Sequence, residues 1–582
     1  MQTLAHPAAG ARAAPLLAFN WPLLWRWWAA TMLLCWTTGC ASLPDNVHRQ
    51  SSTAFASPEQ TQLGQLAQAR RAQARSDSGF SLINTVDVAF SSRIALIDRA
   101  QRTLDLQYYA VHADASTEVL LRGVREAARR GVRVRILLDD FNTVGEDAQV
   151  LRLAFEPNVE MRLFNPLTGP RGSLVGRIVS SLHDVGRMQK RMHNKMFIAD
   201  NAWGITGGRN LGDSYFGADG KQNFIDLDVL ATGRVVRDMS ASFDRYWNDE
   251  LAYPVQSLMS AKDIDELRKP PRTENDPSGA QPAKPAASAS QPVLPVTLSP
   301  SVLPSVSATA VAQMERPSLD LATVTLTWAP SALLVDKPGK IGPGDDEVNA
   351  GDTVVDGLQS LMSQTQRDLL IVSPYFVPGA NMMAMYEQLR KRGVRIRVLT
   401  NSLASNDAPA AQAGYMRYRK ALLDMGVELY EMRADPDSAA ALLGTRSTSR
   451  KGSGFSFGLG SGAGGSKSGG GRSRASLHSK AVMIDGRLSI IGSMNLDLRS
   501  QLKNSEVGLV IRSPAVAAQA TAQLEKTFAT AAYRVEQQRG GDLVWRAPPG
   551  ADFKDTTSEP EASTQQKLLV KMLGPLAPDE ML

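Results

Sequence analysis

Two nine-residue stretches carry the same three chemically capable side chains at the same spacing. MHNKMFIAD at 192–200 holds His193, Lys195 and Asp200, and LHSKAVMID at 477–485 holds His478, Lys480 and Asp485. Each otherwise reads as an apolar strand. In a strand, residues i and i+2 point the same way, so each histidine shares a face with its lysine, a titratable imidazole beside a fixed positive charge. A second strand and a small-residue turn carrying an amide follow each motif, GITGGRN ending in Asn210 and SIIGSMN ending in Asn495. Glycines there let donors approach an anion closely. Carboxylates come next, Asp228 in FIDLDV and Glu506 in NSEVGLV.

Two imidazoles, two ammoniums, two amides and two acids meet the needs of phosphoryl transfer. One imidazole attacks phosphorus and forms a covalent intermediate. The opposite one, protonated, gives its proton to the departing alcohol and then removes one from the incoming alcohol or water. Lys195, Lys480, Asn210 and Asn495 neutralise the non-bridging oxygens, while the acids hold each ring by its far nitrogen and fix its tautomer. Of the six histidines in the chain, the other four, His6, His48, His112 and His183, have no such surroundings and read as structural or incidental. No cluster of His, Cys and acids falls at metal-ligand spacing, so neither a metal nor another cofactor is expected.

The elements that must position these groups are themselves repeated. EAARRGVRVRILLDD at 126–140 and QLRKRGVRIRVLTNS at 388–402 share one pattern, a helix end, a glycine stop and an alternating strand, with Gly131 matching Gly393 at an offset of 262. An apolar strand precedes each helix, TLDLQYYA and DLLIVSPYFV. Strand, helix, strand favours a parallel sheet with helices on its faces. His193 and His478 lie 285 apart, and the additional 23 residues have a source in a Gly/Ser-rich insert at 444–474 that cannot build a core. The expected organisation is an export signal at 1–39, a leader at 40–80, a first lobe at 81–260, a Pro/Ala/Ser-rich connector at 261–325, a second lobe at 326–533 and a tail at 534–582. In the tail, Leu568, Leu569, Met572 and Leu573 suit one face of a short helix, with membrane and protein as alternative partners.

With 582 residues, 43% of them apolar, the chain can fill two or three cores. After Arg12 and Arg26, the run WWAATMLLCWTTGC has signal-peptide length, and TTGCASLP looks like a bacterial lipobox in which Cys40 is lipidated and becomes the first mature residue. Thr37 stands where that motif usually has leucine, and an uncleaved anchor is the alternative. Either places the protein in the bacterial cell envelope, membrane-associated on the periplasmic side. The two cysteines are Cys35, in the signal, and Cys40, which leaves no disulfide framework. Formal charge is +6, or +4 without the signal. The excess is concentrated: six basic residues against Asp184 between Arg171 and Lys195, and seven with no acid between Ser438 and Met483. Anionic partners follow, phospholipid head groups or nucleic acid.

The duplicated His-x-Lys-x-x-x-x-Asp resembles the signature of the phospholipase D superfamily, over nearly the whole mature chain. The resemblance implies an α/β fold of two duplicated α/β/α sandwich lobes packed about a pseudo-twofold axis, with one metal-free active site at the seam. It implies His193 and His478 as nucleophile and acid/base, Lys195, Asn210, Lys480 and Asn495 as phosphate ligands, and Asp228 and Glu506 as orienting acids. Asp200 and Asp485 complete the catalytic motifs and in the family mostly support a turn. LLDDFNT, RLFNP, RMHNK, GGRNLGDSYFG, YFVPG, LTNSLASNDAP and GVELYE look like the bacterial cardiolipin synthases of the C type. That likeness implies a phosphatidyltransferase acting on phosphatidylglycerol, with phosphatidylethanolamine as donor, at a membrane surface. Alternatives are a hydrolytic phospholipase D, a nuclease, which the export signal disfavours, and a non-catalytic tethered binding protein, which two intact motifs disfavour.

Overall fold

The computed structural model describes residues 43–45, 47–143, 145–169, 174–181, 184–219, 221–259, 264–265, 318–342, 353–435 and 474–574. The export signal with Cys40, His6, His183, most of the connector and all but the last residue of the Gly/Ser insert lie outside the described residues.

The repeated unit forms as its pattern requires. Strand β1 is Ser78–Ile83, β2 Thr103–Tyr108, β3 Arg133–Asp139 and β4 Val159–Phe164. Between β2 and β3 the helix Ala115–Arg129 starts where the Asp114 side chain accepts from the Thr117 N–H. It stops at Gly131, whose φ of +93° suits glycine; Gly393 repeats this at +81° after the helix Gly379–Lys391. The remaining strands of the first half are β5 Arg191–Met192, β6 Met196–Ala199, β7 Trp203–Gly207, β8 Gln222–Ile225, β9 Asp228–Gly233 and β10 Ala252–Pro254. Next come β11 Thr327–Trp328, β12 Ser331–Val335, β13 Asp368–Val372, β14 Arg395–Asn401 and β15 Glu428–Met432. The last are β16 Arg474–Leu477, β17 Ala481–Ile484, β18 Leu488–Gly492, β19 Asn504–Ser505, β20 Val507–Arg512, β21 Ala532–Gln537 and β22 Leu543–Arg546.

Two nine-stranded sheets result, one ordered β10-β4-β3-β2-β6-β7-β9-β1-β11 and the other β12-β20-β18-β17-β13-β14-β15-β21-β22. The run β4-β3-β2-β6-β7-β9 matches β15-β14-β13-β17-β18-β20, so the duplication is one of topology. The sheets are mixed, which corrects the expectation of parallel ones. Only β2, β3, β4 and their counterparts run parallel; β6-β7-β9 and β17-β18-β20 are antiparallel. The cause lies in the motifs: Asp200 and Asn201 (φ +53° each), and Asp485 and Gly486 (+52° and +63°), make tight turns of the kind that hairpins use.

Alternation decides what each sheet face covers. In β13, Leu369 and Ile371 join an outer core with the helices Val354–Ser363 and Gly379–Lys391, while Leu370 and Val372 join a core shared by both lobes. The shared core includes Met192, Met196 and Val229 from the first lobe, Met483, Val507 and Leu509 from the second, and the helices Arg234–Trp247 and Pro514–Thr530. The second arginine of each repeated GVRVR and GVRIR is buried and paired, Arg135 with Asp105 and Asp244, and Arg397 with Asp368 and Glu525.

Two expected boundaries shift. Thr327–Trp328, assigned to the second lobe, pairs with β1 as the edge of the first-lobe sheet. Residues beyond 534, read as a polar tail, complete β21 and β22 on the second sheet. Their outward faces are polar because they form its edge, and buried Tyr533, Val535 and Trp545 carry the packing.

Candidate active site

Two small parallel ladders cross the seam, and they build the site. β5, which leads into His193, pairs with β19 of the other lobe, Asn504 opposite Arg191 and Ser505 opposite Met192. β16, which leads into His478, pairs with β8, Leu477 opposite Ile225. The backbone N–H groups of His193 and His478 donate to the carbonyls of Ser505 and Ile225, at 2.9 and 2.8 Å. The next residue on each partner strand is an acid. His193 Nδ1 therefore lies 2.9 Å from Glu506 Oε2, and His478 Nδ1 lies 2.7 Å from Asp226 Oδ2. The pairing is crossed, each lobe lending its carboxylate to the other lobe's histidine. With Nδ1 so engaged, neither Nε2 has a partner among the described residues.

Asp228, expected to orient a histidine, does not. Its carboxylate is buried between Arg93 (3.0 Å) and Arg209 (3.3 Å). Strand register gives the reason. Gly207 pairs with Asp228 as Gly492 pairs with Gly508, so Asp228 corresponds to Gly508 and Asp226 to Glu506. Setting Asp226-Leu227-Asp228 over Glu506-Val507-Gly508 in the sequence was the signal that could have found it. The turn glycines also act on the acid rather than on an anion: a Cβ on Gly208 would sit 2.2 Å from Asp226 Oδ1, and at the matching position the Ser493 hydroxyl donates to Glu506.

Asp200 and Asp485 leave the catalytic set. Asp200 accepts from the backbone N–H groups of residues 101–103, and Asp485 from those of 366–368. They tie the hairpin turns to the starts of β2 and β13.

The lysines and asparagines do gather at the seam. Lys195 Nζ donates to the His193 carbonyl at 2.7 Å, and Lys480 Nζ to that of His478, which leaves further N–H donors on each ammonium. The Asn210 amide donates to the Tyr215 hydroxyl at 2.9 Å, and Asn495 Oδ1 is buried without a partner among the described residues. Aromatic rings wall the site, unforeseen in the sequence because no spacing marks them. Tyr109 stands edge-on to His193 (centroids 5.0 Å), Tyr215 edge-on to His478 (5.4 Å), and Phe224 is 5.0 Å from His478. His112, read as structural or incidental, pairs with Asp147 at 3.0 Å and stacks on Tyr215.

Burial dominates the electrostatics. It holds His193 at about 4 against the pull of Glu506 and with the help of Lys195 and Lys480. Burial, then Lys480, holds His478 at about 3 against Asp226. Burial likewise pushes Lys195 down to about 7 and Lys480 to about 8. For the acids burial acts upward but is outweighed: the partner histidines and nearby lysines hold Glu506 and Asp226 below the ordinary carboxylate range. Each imidazole feels both lysines, so all four groups share one electrostatic environment. At neutral pH these shifts leave the rings neutral, the acids ionised and the lysines near their titration point. An entering anion would restore positive charge on lysines and rings together.

A duplicated sandwich whose lobes exchange carboxylates across histidines at one seam defines the phospholipase D class of architecture. Residues 94–247, 358–447 and 462–529 match the family model described as cardiolipin synthase, PLD-like domain. Cardiolipin synthase C of Escherichia coli (strain K12) is 34% identical over 85% of this chain and 93% of its own length. An uncharacterised protein of Helicobacter pylori (strain 26695) is 30% identical over 82% and 85%. The crystal structure of phosphatidylserine synthase from Haemophilus influenzae superposes with a TM-score of 0.51 over 89% of this chain and all of that one, at 14% identity, a likeness of fold. The chain belongs to the cardiolipin synthase, phospholipase D-like family.

Proposed function

We propose that the protein is a phosphatidyltransferase that makes cardiolipin from phosphatidylglycerol and a second phospholipid, with phosphatidylethanolamine as donor. The observation that carries this reading is the crossed pair of histidine–carboxylate contacts, His193 with Glu506 and His478 with Asp226, beside two buried lysines. The donor's phosphodiester binds between Lys195 and Lys480 with Asn210 and Asn495. His193 Nε2 attacks phosphorus; a P–N bond forms, the bond to the head-group oxygen breaks, and His478 gives that oxygen its proton. The terminal hydroxyl of phosphatidylglycerol then loses its proton to His478 and attacks phosphorus, and the P–N bond breaks. Ethanolamine and cardiolipin leave. Glu506 and Asp226 hold both rings in the Nδ1–H tautomer and stabilise each imidazolium.

The relative at 34% identity is named for cardiolipin synthesis, which supports this acceptor over water. We further propose that Cys40 carries a lipid anchor facing the periplasm. Among the described residues no helix is long and apolar enough to cross a membrane, so an anchor would have to come from elsewhere in the chain.

The test is lipid mass spectrometry of cells that lack their own cardiolipin enzymes and express the chain. Cardiolipin should appear with the parent chain and vanish with His193→Ala. Phosphatidic acid without cardiolipin would mean that water is the acceptor, and neither product would defeat the reading.

A further inference from the structure

Among the described residues, the large hydrophobic side chains left exposed are five: Val179 (61%), Val185 (45%), Leu568 (59%), Leu569 (42%) and Met572 (60%). They fall in two places. Val179 and Val185 belong to the short helices Leu174–Ser180 and Val185–Gln189; the other three belong to the helix Thr564–Leu573. That helix is held to the protein by its opposite side, where Val570 packs with Leu403 and Ala413, and Gln566 Nε2 donates to the Leu403 carbonyl. Of the four residues expected on one face, Leu573 packs on the protein with Val570, while Leu568, Leu569 and Met572 turn outward.

The two places rest on equivalent loops of the duplicated plan. Asp139, at the end of β3, accepts from the N–H of Met192, the residue before His193, at 2.8 Å, and the adjoining Asp140 holds Arg177 of the helix Leu174–Ser180. Asn401, at the end of β14, accepts from the N–H of Leu477, the residue before His478, also at 2.8 Å, and Leu403, two residues on, holds the helix Thr564–Leu573. A helix of each patch thus rests on the loop that positions one catalytic histidine, one in each lobe.

Charge selects the occupant. Thr564–Leu573 contains no acid, and Lys567 and Lys571 lie beside its apolar residues, Lys571 exposed. In 174–190 the acid is Asp184, which is paired with Arg187. Apolar side chains with basic neighbours and few acids suit the boundary between acyl chains and anionic head groups, where lysine stems reach up to the phosphates. We propose that these helices form one docking surface for a phospholipid monolayer, seating the seam over the bilayer so that lipid enters it without leaving the membrane. The proposal rests on the reading of the substrates as membrane phospholipids.

The test uses the full chain with vesicles of phosphatidylethanolamine and phosphatidylglycerol. In a Met572→Trp variant, bromines on the acyl chains should quench fluorescence beyond the quenching of the parent protein. A Leu568→Ser, Leu569→Ser, Met572→Ser variant should turn over vesicle lipid about tenfold more slowly, while short-chain lipids dissolved as monomers react within about twofold of the parent. Val179→Ser with Val185→Ser should act in the same direction and less. An unquenched indole, or a serine variant equal to the parent on vesicles, or equal loss on both lipid presentations, overturns the docking surface. Self-association of the parent through these residues, with no quenching, would assign the patch to a second copy and also overturn it. If no form of the protein yields a phosphatidyl product from either presentation, the functional reading fails, and the quenching still decides the docking.

Discussion

The two lobes agree where they touch the reaction and differ just behind it. Asp139 and Asn401 occupy the same place and accept the same N–H, but Asp139 also pairs with Arg191 at 3.3 Å, whereas the residue matching Arg191 is Ser476. Asp228 is paired with Arg209, and the matching pair is Gly508 and Met494, which lie against each other. At both places an acid and its basic partner are replaced together, and at Asp228 a second arginine, Arg93, shares the carboxylate. A buried charge without its partner is far more costly than a neutral pair, so each change is tolerated only with its complement. The first lobe keeps ionic supports, the second neutral ones, and the histidines are held alike.

The strongest way to break this picture is at the shared chemistry. His193→Ala and His478→Ala should each cut turnover by about 10⁴-fold while leaving a folded protein. With His478→Ala and a donor bearing a good leaving group, a phosphohistidine at 193 should accumulate, detectable by mass spectrometry. Accumulation at His478 in the converse variant would exchange the two roles.

Next, Asp226→Asn should lower kcat by about 10²–10³-fold, as should Glu506→Gln, because each leaves a ring without its orienting carboxylate. Asp228→Asn should instead show in denaturant unfolding, at about 3–5 kcal/mol, because Arg93 and Arg209 would stay buried with too little opposing charge. Equal kinetic effects at 226 and 228 would undo the assignment made from register.

The ionic supports give a third prediction. Arg191→Ser alone, leaving Asp139 buried and unpaired, should destabilise by about 3 kcal/mol, and adding Asp139→Asn should recover part of that by copying the second lobe. A double variant no better than the single one would show that the lobes do not exchange charges as pairs.

The pH dependence follows from signs. The folded histidines sit at about 4 and about 3, below their ordinary value of 6.5, so between those pH values the unfolded chain binds more protons. Stability should fall as pH drops from 6.5 toward 4, and less steeply in a His193→Gln, His478→Gln variant. On the alkaline side kcat/KM should decline through about 7 to 8 as Lys195 and Lys480 lose their protons. The smallest expected effect is shared by the lobes: Gly131→Ala and Gly393→Ala should each cost about 1 kcal/mol, since nothing crowds either position and only the positive φ is strained.

Much of the site was legible because chemistry confined to few residue types leaves a spacing. His193, Lys195, His478 and Lys480 announce themselves through the face they share in a strand, and Glu506 through a lone acid in an apolar run. Asp226 did not, because FIDLDV offers two acids at period two, and choosing between them takes the alignment of 226–228 on 506–508 that strand register makes plain. The crossed pairing was hidden for a related reason: β5 and β19 are two residues long, too short for any periodicity. The mixed sheets followed from turns whose left-handed residues look ordinary in sequence. Tyr109 and Tyr215 could not be separated from core aromatics without coordinates.

The strand exchange at the seam has a kinetic corollary. Severed within the connector, the chain would give two pieces, each with a histidine lacking its acid and an acid lacking its histidine. Catalysis by such fragments would become second order in protein, appearing only as they associate. Because the two histidine–carboxylate contacts and the two parallel ladders that cross the seam mirror each other, the single chain is organised as a self-complementary dimer.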